Sequence, residues 1–412
     1  MKDIFNYVPG RNLPYNKFDL RHDIKCSGKM GQLIPTVVAE VLPGDVFEIS
    51  LENMVRFAPL LSPIMHEVCV THHLFFVPYR LLWPGWEDHR TLETDILAPY
   101  ESIGTVNEGS IADYMGLSSF GTTQPISAFF FAAYYLIYDE YYRDQNLITE
   151  KFQELVAGLN TFTTNSGLAT PLRRAWNHDY FTSALPFAQK GTAVTLPLTQ
   201  NNSVDVDYRI DGVPILARDS VTGNLMPNGS INTTLGDGGV RNGSNTGMIW
   251  DPNGTMFVNI DAEAVDITDV RRAFRLQEFY ERLARGGSRY TEYLKSMFGV
   301  QSSDARLQRP EYLGGTKQKM VISEVLSTTN NTADTDGVPL GEMAGHGISI
   351  GGGNRIRYRS EEDGCIIGIL NVQPVSAYQE QAHKMWFRSD SLDWYIPDFA
   401  HIGEQEIQVK EV

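Results

Sequence analysis

The sequence predicts a mainly β protein with a few helices, and two observations carry that prediction. The 412 residues include 36 glycines and 20 prolines, with 11% aromatic and 20% charged residues. Apolar runs of strand length recur in both halves of the chain, separated by turn-forming residues. Many short strands with long connections and aromatic side chains in the core produce such a composition.

Strands are predicted first within residues 45–79. DVFEIS (45–50) alternates, so that Phe47 and Ile49 share one face. HEVCVTHHLFFVPY (66–79) is a longer, half-buried run that Pro78 ends. Its neighbours His72 and His73 should point to opposite faces of the sheet, which prevents them from chelating one metal ion together.

Further strands are predicted towards the C-terminus, in QKMVISEVL (318–326), RIRYR (355–359) and GCIIGILNV (364–372). The last run is continuous enough to be buried on both faces of a sheet. GISIGGGNR (347–355) matches neither the dinucleotide-binding fingerprint nor the phosphate-binding P-loop, and we interpret it as a turn.

Two helices are predicted. The first begins at Pro125, a residue suited to a first helical turn, and its apolar positions are Phe130, Tyr134, Ile137, Tyr138 and Tyr141. The second covers DVRRAFRLQEFYERLARGG (269–287) and is predicted to stop at Gly286. Its apolar face comprises Ala273, Leu276, Phe279, Tyr280 and Leu283.

Residues 191–265, between these helices, differ in composition from the rest of the chain. The segment is rich in Asn and Gly, and its eight acids against three arginines give a net charge of −5. Such a composition predicts an exposed insertion with short hairpins.

Charge and cysteine content exclude several classes of protein. A net charge of −16 argues against a chain whose whole surface coats nucleic acid or an anionic membrane. Cys26, Cys69 and Cys365 are far apart and indicate neither a disulfide framework nor a zinc site. No run is apolar enough for a membrane span or a secretory leader, so we expect synthesis in the cytoplasm and no membrane insertion.

One segment is locally basic. Residues 266–319 contain eleven Lys and Arg against seven acids, a net charge of +4, with aromatic residues interleaved. Such a segment could hold single-stranded nucleic acid by charge and stacking, or it could form contacts between proteins. The candidate DNA contacts are Arg271, Arg272, Arg275, Arg282, Arg285, Arg289, Lys317 and Lys319. We favour protein contacts, because Glu278 and Arg282 are spaced to form an ion pair on the helix.

The stretch YTEYLKSMFGVQSSDARLQRPEYLGG (290–315) has no Cys, no His and no acid pair at a catalytic spacing. Planar arginine donors, large aromatic rings and glycine turns are typical of subunit interfaces. The interface candidates are Arg306, Gln308, Arg309, Tyr312, Tyr290 and Tyr293, within a helix-plus-interface segment at 269–315. We expect Arg309→Ala to leave the subunit folded and to impair assembly.

Six blocks of the sequence resemble one family, the major capsid protein of the Microviridae, and in particular its gokushovirus branch. They are GQLIPTVVAEVLPGDVF (31–47), HLFFVPYRLLWPGWEDH (73–89), DEYYRDQNL (139–147), HDYFTSALPFAQKG (178–191), the stretch at 290–315, and MWFRSDSLDWYIPDFAHIGEQE (385–406). The blocks occur in the order that the family has.

The resemblance implies a single capsid domain over 1–412, an eight-stranded viral jelly roll of two packed antiparallel sheets with long loop insertions and a few α-helices. Copies would form an icosahedral T=1 shell around a circular single-stranded DNA genome. The insertion at 191–265 would be a protrusion at the threefold axes. Family members usually continue well past GEQ (403–405), whereas this sequence stops at KEV (410–412).

The resemblance also implies partners and a location. The partners are packaged single-stranded DNA, a small basic DNA-binding protein, a pilot protein, an internal scaffolding protein and a host surface receptor. The location is the virion capsid, after synthesis in the bacterial host cytoplasm. No catalytic residue, metal ligand or cofactor is predicted.

The alternative is a jelly-roll carbohydrate-binding protein or glycoside hydrolase. The acid pairs Glu87-Asp88, Asp139-Glu140 and Glu361-Glu362 are sequence neighbours. A hydrolase needs two carboxyl groups that face each other across a cleft.

Overall fold

The computed structural model describes residues 14–93, 95–161, 166–195, 267–328, 341–378, 382–400 and 406–411, together with six short strands between residues 206 and 258. The chain divides into two compact units. One consists of Met1–Ala188 and Ala284–Val412, and the other is Gln189–Leu283.

The first unit contains most of the regular structure. Before the second unit it has strands β1 (Leu33–Val41), β2 (Val46–Arg56), β3 (Val68–Pro78), β4 (Tyr100–Ile103) and β5 (Gln124–Ser127), and helices α1 (Tyr79–Leu82), α2 (Trp86–Thr91), α3 (Ile111–Tyr114) and α4 (Phe129–Ile137), which continues as a π-helix (Tyr138–Tyr142). The second unit has β6 (Val206–Tyr208), β7 (Arg218–Asp219), β8 (Ile231–Asn232), β9 (Arg241–Asn242), β10 (Met248–Ile249), β11 (Met256–Val258) and most of α5 (Ile267–Gly286). The first unit then resumes with α6 (Tyr290–Phe298), β12 (Glu311–Lys319), β13 (Val321–Leu326), β14 (Met343–Arg359), β15 (Gly364–Pro374) and 3-10 turns at Lys384–Phe387, Ser391–Asp393, Pro397–Phe399 and Val409–Glu411.

Two antiparallel sheets pack face to face in the first unit. One has the strand order β1-β15-β3-β12 and the other has the order β13-β14-β2. Leu74, Phe76 and Ile366 of the four-stranded sheet are buried against Leu51 of β2. The prediction of a mainly β protein is confirmed.

A helical layer covers the other face of the four-stranded sheet. Phe75 and Ile367 belong to a buried cluster that also contains most of α4. Tyr134 of α4 donates its hydroxyl to Leu33 O at 2.9 Å and accepts from Leu172 N at 3.0 Å. Strand β15 is therefore buried on both faces, as its continuous apolar run predicts.

Two predictions of secondary structure are wrong. GISIGGGNR lies inside β14 and is not a turn. Its glycines instead produce an irregularity in the pairing with β2 between Gly352 and Arg355, where Gly352 and Gly353 have φ of 149° and 110°.

The predicted start of the first helix is the second error. Pro125 lies in β5, which pairs with β4, and the helix begins at Phe129. A two-stranded ribbon leaves its outer edges unpaired, so a proline without an N–H is tolerated there.

The second predicted helix is confirmed as α5, with two differences in detail. Its last residue is Gly286, and Gly287 takes the positive φ of 97° that ends it. Glu278 pairs with Arg275 at 2.7 Å rather than with Arg282.

The predicted insertion at 191–265 lies mostly outside the described residues. Its described strands form three antiparallel pairs, β6 with β11, β7 with β10 and β8 with β9. The three pairs are nested in sequence, with β8 and β9 as the innermost pair and β6 and β11 as the outermost. The protrusion at the threefold axes stays a prediction.

Candidate subunit and nucleic-acid contacts

The candidate interface segment is held by α6 and by the edge strand β12. The side chain of Glu292 accepts from the backbone N of Arg289 at 3.3 Å, which caps the start of α6. Gly299 ends the helix with φ of 69°. A turn at 304–308 then leads into β12, whose backbone pairs with β3.

Arg309 forms its contacts inside the subunit. Its side chain is 12% exposed and lies 3.4 Å from Asp304 Oδ1 and 3.7 Å from Glu140 Oε2. The guanidinium also lies over the ring of Tyr141, 4.3 Å from the centroid, and donates to Thr291 Oγ1 at 3.1 Å. Removing Arg309 would therefore also remove contacts inside the subunit, and the expected effect of Arg309→Ala on assembly stays a prediction.

Gln308 has an unusual backbone conformation for a residue with a side chain, with φ of 55°. Its side-chain oxygen accepts from Arg80, which forms an ion pair with Glu362 at 2.5 Å. Gln308 is exposed, but its polar atoms help to hold the turn that precedes β12.

The other interface candidates are more accessible. Tyr290 is 64% exposed and Tyr312 is 47% exposed, and Arg306 is also exposed. Tyr293 is half-buried and stacks on Tyr290 at a centroid distance of 6.1 Å. Of the six candidates, Arg306, Gln308, Tyr290 and Tyr312 are thus exposed on the isolated chain.

The candidate DNA contacts do not form one group. Arg271, Arg272, Arg275 and Arg282 are exposed on α5 in the second unit, whereas Arg285, Arg289, Lys317 and Lys319 belong to the first. Arg289 is 16% exposed and donates to Asp139 O at 2.6 Å and to Arg143 O at 3.0 Å. Lys319 pairs with Glu67 at 3.0 Å. Arg289 is thus committed to contacts inside the subunit.

A buried ion pair was not predicted from the sequence. The side chains of Asp139 and Arg143 are 7% and 8% exposed, and Asp139 Oδ1 lies 3.2 Å from Arg143 Nε. Asp139 Oδ2 accepts from the backbone N of Lys151 and of Phe152 at 2.8 and 2.7 Å. Burial raises the pKa of Asp139. The available signal was the i,i+4 spacing of these two residues in DEYYR.

His72 and His73 point to opposite faces of β3, as predicted. His72 Nε2 lies 2.7 Å from Thr36 Oγ1, and His73 Nδ1 lies 2.8 Å from the hydroxyl of Tyr142. Burial lowers the pKa of each imidazole to about 4. In the part of the chain that the structure describes, no three His, Cys, Asp or Glu side chains are grouped to hold a metal ion.

No helix among the described residues is both long and apolar enough to cross a membrane.

The first unit is thus an antiparallel sheet sandwich with a helical layer and exposed aromatic residues. Comparison with known proteins identifies the class. The profile of a family described as capsid protein (F protein) matches residues 6–412. The chain belongs to this family of capsid proteins.

Individual proteins similar to this chain are also capsid proteins. The chain is 33% identical to capsid protein VP1 of Bdellovibrio phage phiMH2K, over 99% of this chain and 78% of that protein. It is 31% identical to capsid protein VP1 of Chlamydia phage 1, over 100% of this chain and 80% of that protein, and 28% identical to that of Spiroplasma virus 4, over 99% and 78%. The resemblance to gokushovirus-like capsid proteins is confirmed, and the chain is a major capsid protein of a small single-stranded DNA phage. The alternative of a carbohydrate-binding protein or hydrolase gains no support.

Proposed function

We propose that copies of this chain close into a small icosahedral T=1 shell around a circular single-stranded DNA genome. The observation that carries the proposal is the match to the capsid family over nearly the whole chain. Closed shells require contacts that repeat around symmetry axes, and such contacts depend on shape and orientation rather than on reactive groups.

Exposed aromatic residues support repeated subunit contacts. In the C-terminal segment Trp386, Trp394 and Tyr395 are 74%, 60% and 77% exposed, and Phe298 at the end of α6 is 66% exposed. Tyr, Trp and Phe are enriched in the surfaces that subunits bury against each other, and the hydrophobic effect favours their removal from water.

We also propose that the sandwich is an eight-stranded viral jelly roll. The sheets β1-β15-β3-β12 and β13-β14-β2 supply seven antiparallel strands in the described residues. A jelly roll needs eight strands in two sheets.

The charge of the chain supports a role for a second, basic protein in packaging the DNA. A protein with a net charge of −16 cannot neutralise packaged phosphates by itself, so a small basic DNA-binding protein would supply the missing positive charge. A pilot protein and an internal scaffolding protein complete the partners that we propose. The segment at 191–265 would contact a host surface receptor, and the chain would be made in the host cytoplasm and reside in the virion.

Assembly of the purified chain tests the proposal. We expect electron microscopy to show closed particles, and Arg306→Ala to lower their yield while leaving the unfolding free energy within about 0.5 kcal/mol of the unmodified chain. Arg306→Lys keeps the charge and is the matched control, with a smaller loss of particles. Normal particle yields for Arg306→Ala would remove Arg306 from the interface.

A further inference from the structure

The first unit contains an open cavity of about 450 Å³ beside β3, α6 and the start of β12. The volume falls within the range of about 300–1,000 Å³ that is usual for small-ligand sites. The lining residues that matter for ligand chemistry are His73, Tyr142, Arg174, Lys295, Gln301 and Tyr312.

Aromatic rings form one wall of this cavity. His73 and Tyr142 are stacked at a centroid distance of 6.0 Å, and the ring of Tyr312 meets His73 edge-on at 5.6 Å. Tyr142 is buried, whereas Tyr312 is 47% exposed. Tyr312 also contacts Phe75 at a tilted 5.5 Å, so its ring is held in place while nearly half of the residue stays open to a ligand.

The charges around the cavity are not balanced. Its two acids are neutralised from within the subunit, since Asp304 pairs with Arg309 at 3.4 Å and Glu292 pairs with Arg289 at 3.4 Å. Arg174 and Lys295 have no carboxylate within ion-pair distance among the described residues. The guanidinium of Arg174 is held 5.6 Å over the ring of Tyr142 and donates to Thr71 Oγ1 at 3.4 Å.

Two uncompensated cations in a strongly acidic protein favour an anionic ligand. An exposed ring beside them favours a ligand that is also planar and aromatic. A nucleotide combines both properties.

We infer that this cavity binds one nucleotide of a single strand, with its phosphate at Arg174 and Lys295 and its base stacked on Tyr312. Gln301 is exposed at the rim and supplies a hydrogen-bonding side chain that can reach a base edge. The inference rests on the proposed function in one respect, because packaged DNA would supply the nucleotide. It places the DNA contact in a set of residues separate from the arginines of α5.

Binding of a labelled oligothymidylate to the full-length chain, followed by fluorescence anisotropy, tests the inference. We expect Lys295→Gln to weaken binding and to reduce the slope of log affinity against log salt by about 0.7, the value for one phosphate contact on a single strand. Tyr312→Ser should weaken binding about 5- to 150-fold, and Tyr312→Phe, which keeps the ring, should not.

Lys25→Gln removes the same charge from an exposed site outside the cavity and should change neither affinity nor slope. Lys295 is exposed, so Lys295→Gln should remain folded even if Tyr312→Ser does not. Binding by Lys295→Gln that equals that of the unmodified chain would overturn the inference, as would a loss of binding only in Lys317→Gln. No binding by the unmodified chain would overturn it as well.

Competition separates a nucleotide site from a simple anion site. Thymidine monophosphate should displace the oligonucleotide at concentrations where inorganic phosphate does not. Equal displacement by phosphate alone would contradict the assignment of a nucleotide.

Electron microscopy of the same samples distinguishes failure of the nucleotide site from failure of the proposed shell. Closed particles without binding at the cavity would support the shell and refute the nucleotide site. Binding at the cavity without closed particles would support the nucleotide site and refute the shell.

Discussion

Arg309 links the π-helix to the turn before β12. Its guanidinium contacts Asp304 in the turn before β12, Glu140 in the π-helix and the ring of Tyr141. Because the side chain is 12% exposed, its removal would leave two partly buried acids without a counter-charge.

We therefore expect Arg309→Ala to lower the unfolding free energy by about 1–3 kcal/mol, measured by urea denaturation. Arg306→Ala is the matched control, since Arg306 is exposed and should leave the urea midpoint unchanged. Equal midpoints for Arg309→Ala and the unmodified chain would show that the contacts of Arg309 contribute nothing to the subunit.

The two histidines of β3 make the stability of the subunit depend on pH. An unfolded histidine titrates near pH 6.5, whereas burial lowers the pKa of His72 and His73 to about 4. Between these values the unfolded chain binds more protons, so the unfolding free energy falls as the pH drops from about 6.5 to about 4.

We expect His72→Gln to reduce the pH dependence in this range by up to one proton, or about 1.4 kcal/mol per pH unit. Denaturation series at several pH values measure the slope. His22→Gln, at an exposed site, is the control and should leave the slope unchanged. A slope that is the same in His72→Gln would contradict the assignment.

At the scale of elements, the pairing of β12 with β3 depends on Gly315. A Cβ at this position would lie 2.4 Å from the backbone oxygen of His72, closer than any real contact. The edge strand that carries the interface segment can therefore lie flat on β3 only because residue 315 has no side chain.

We expect Gly315→Ala to destabilise the subunit by about 3 kcal/mol and to raise hydrogen exchange of the β12 amides. Gly299→Ala is the control, because Gly299 has φ of 69° but open space around it. That variant should cost about 1 kcal/mol, from backbone conformation alone. Unchanged protection of β12 in Gly315→Ala would contradict the steric argument.

Elements with a clear period could be predicted from the sequence, and those set by tertiary contacts could not. The amphipathic repeat predicted α5, and the continuous apolar run predicted the double burial of β15. The predictions at Pro125 and at the glycines of β14 were wrong because each of these residues is compatible with several local structures. The pairing partner, which local sequence does not specify, decides among them.

The same limit applies to the sites. Composition identified Arg306, Arg309 and Tyr312 as a group, but it could not separate the arginine that is exposed from the one that is paired inside the subunit. The cavity was missed because Arg174 and Lys295 are far apart in sequence and are brought together only by the fold.

At the scale of the whole molecule, an acidic capsid protein exposes aromatic side chains in its C-terminal segment and at the end of α6. On an isolated monomer these groups would cost free energy, whereas contacts between subunits would bury them. Membership of the capsid family and this surface lead to the same expectation, that the chain functions in multiple copies.

Electron microscopy of the purified full-length chain over a range of protein and salt concentrations tests that claim most directly. Our account predicts closed particles of one diameter, with Trp386, Trp394 and Tyr395 buried between subunits in a reconstruction. A chain that remains monomeric under all of these conditions would contradict it.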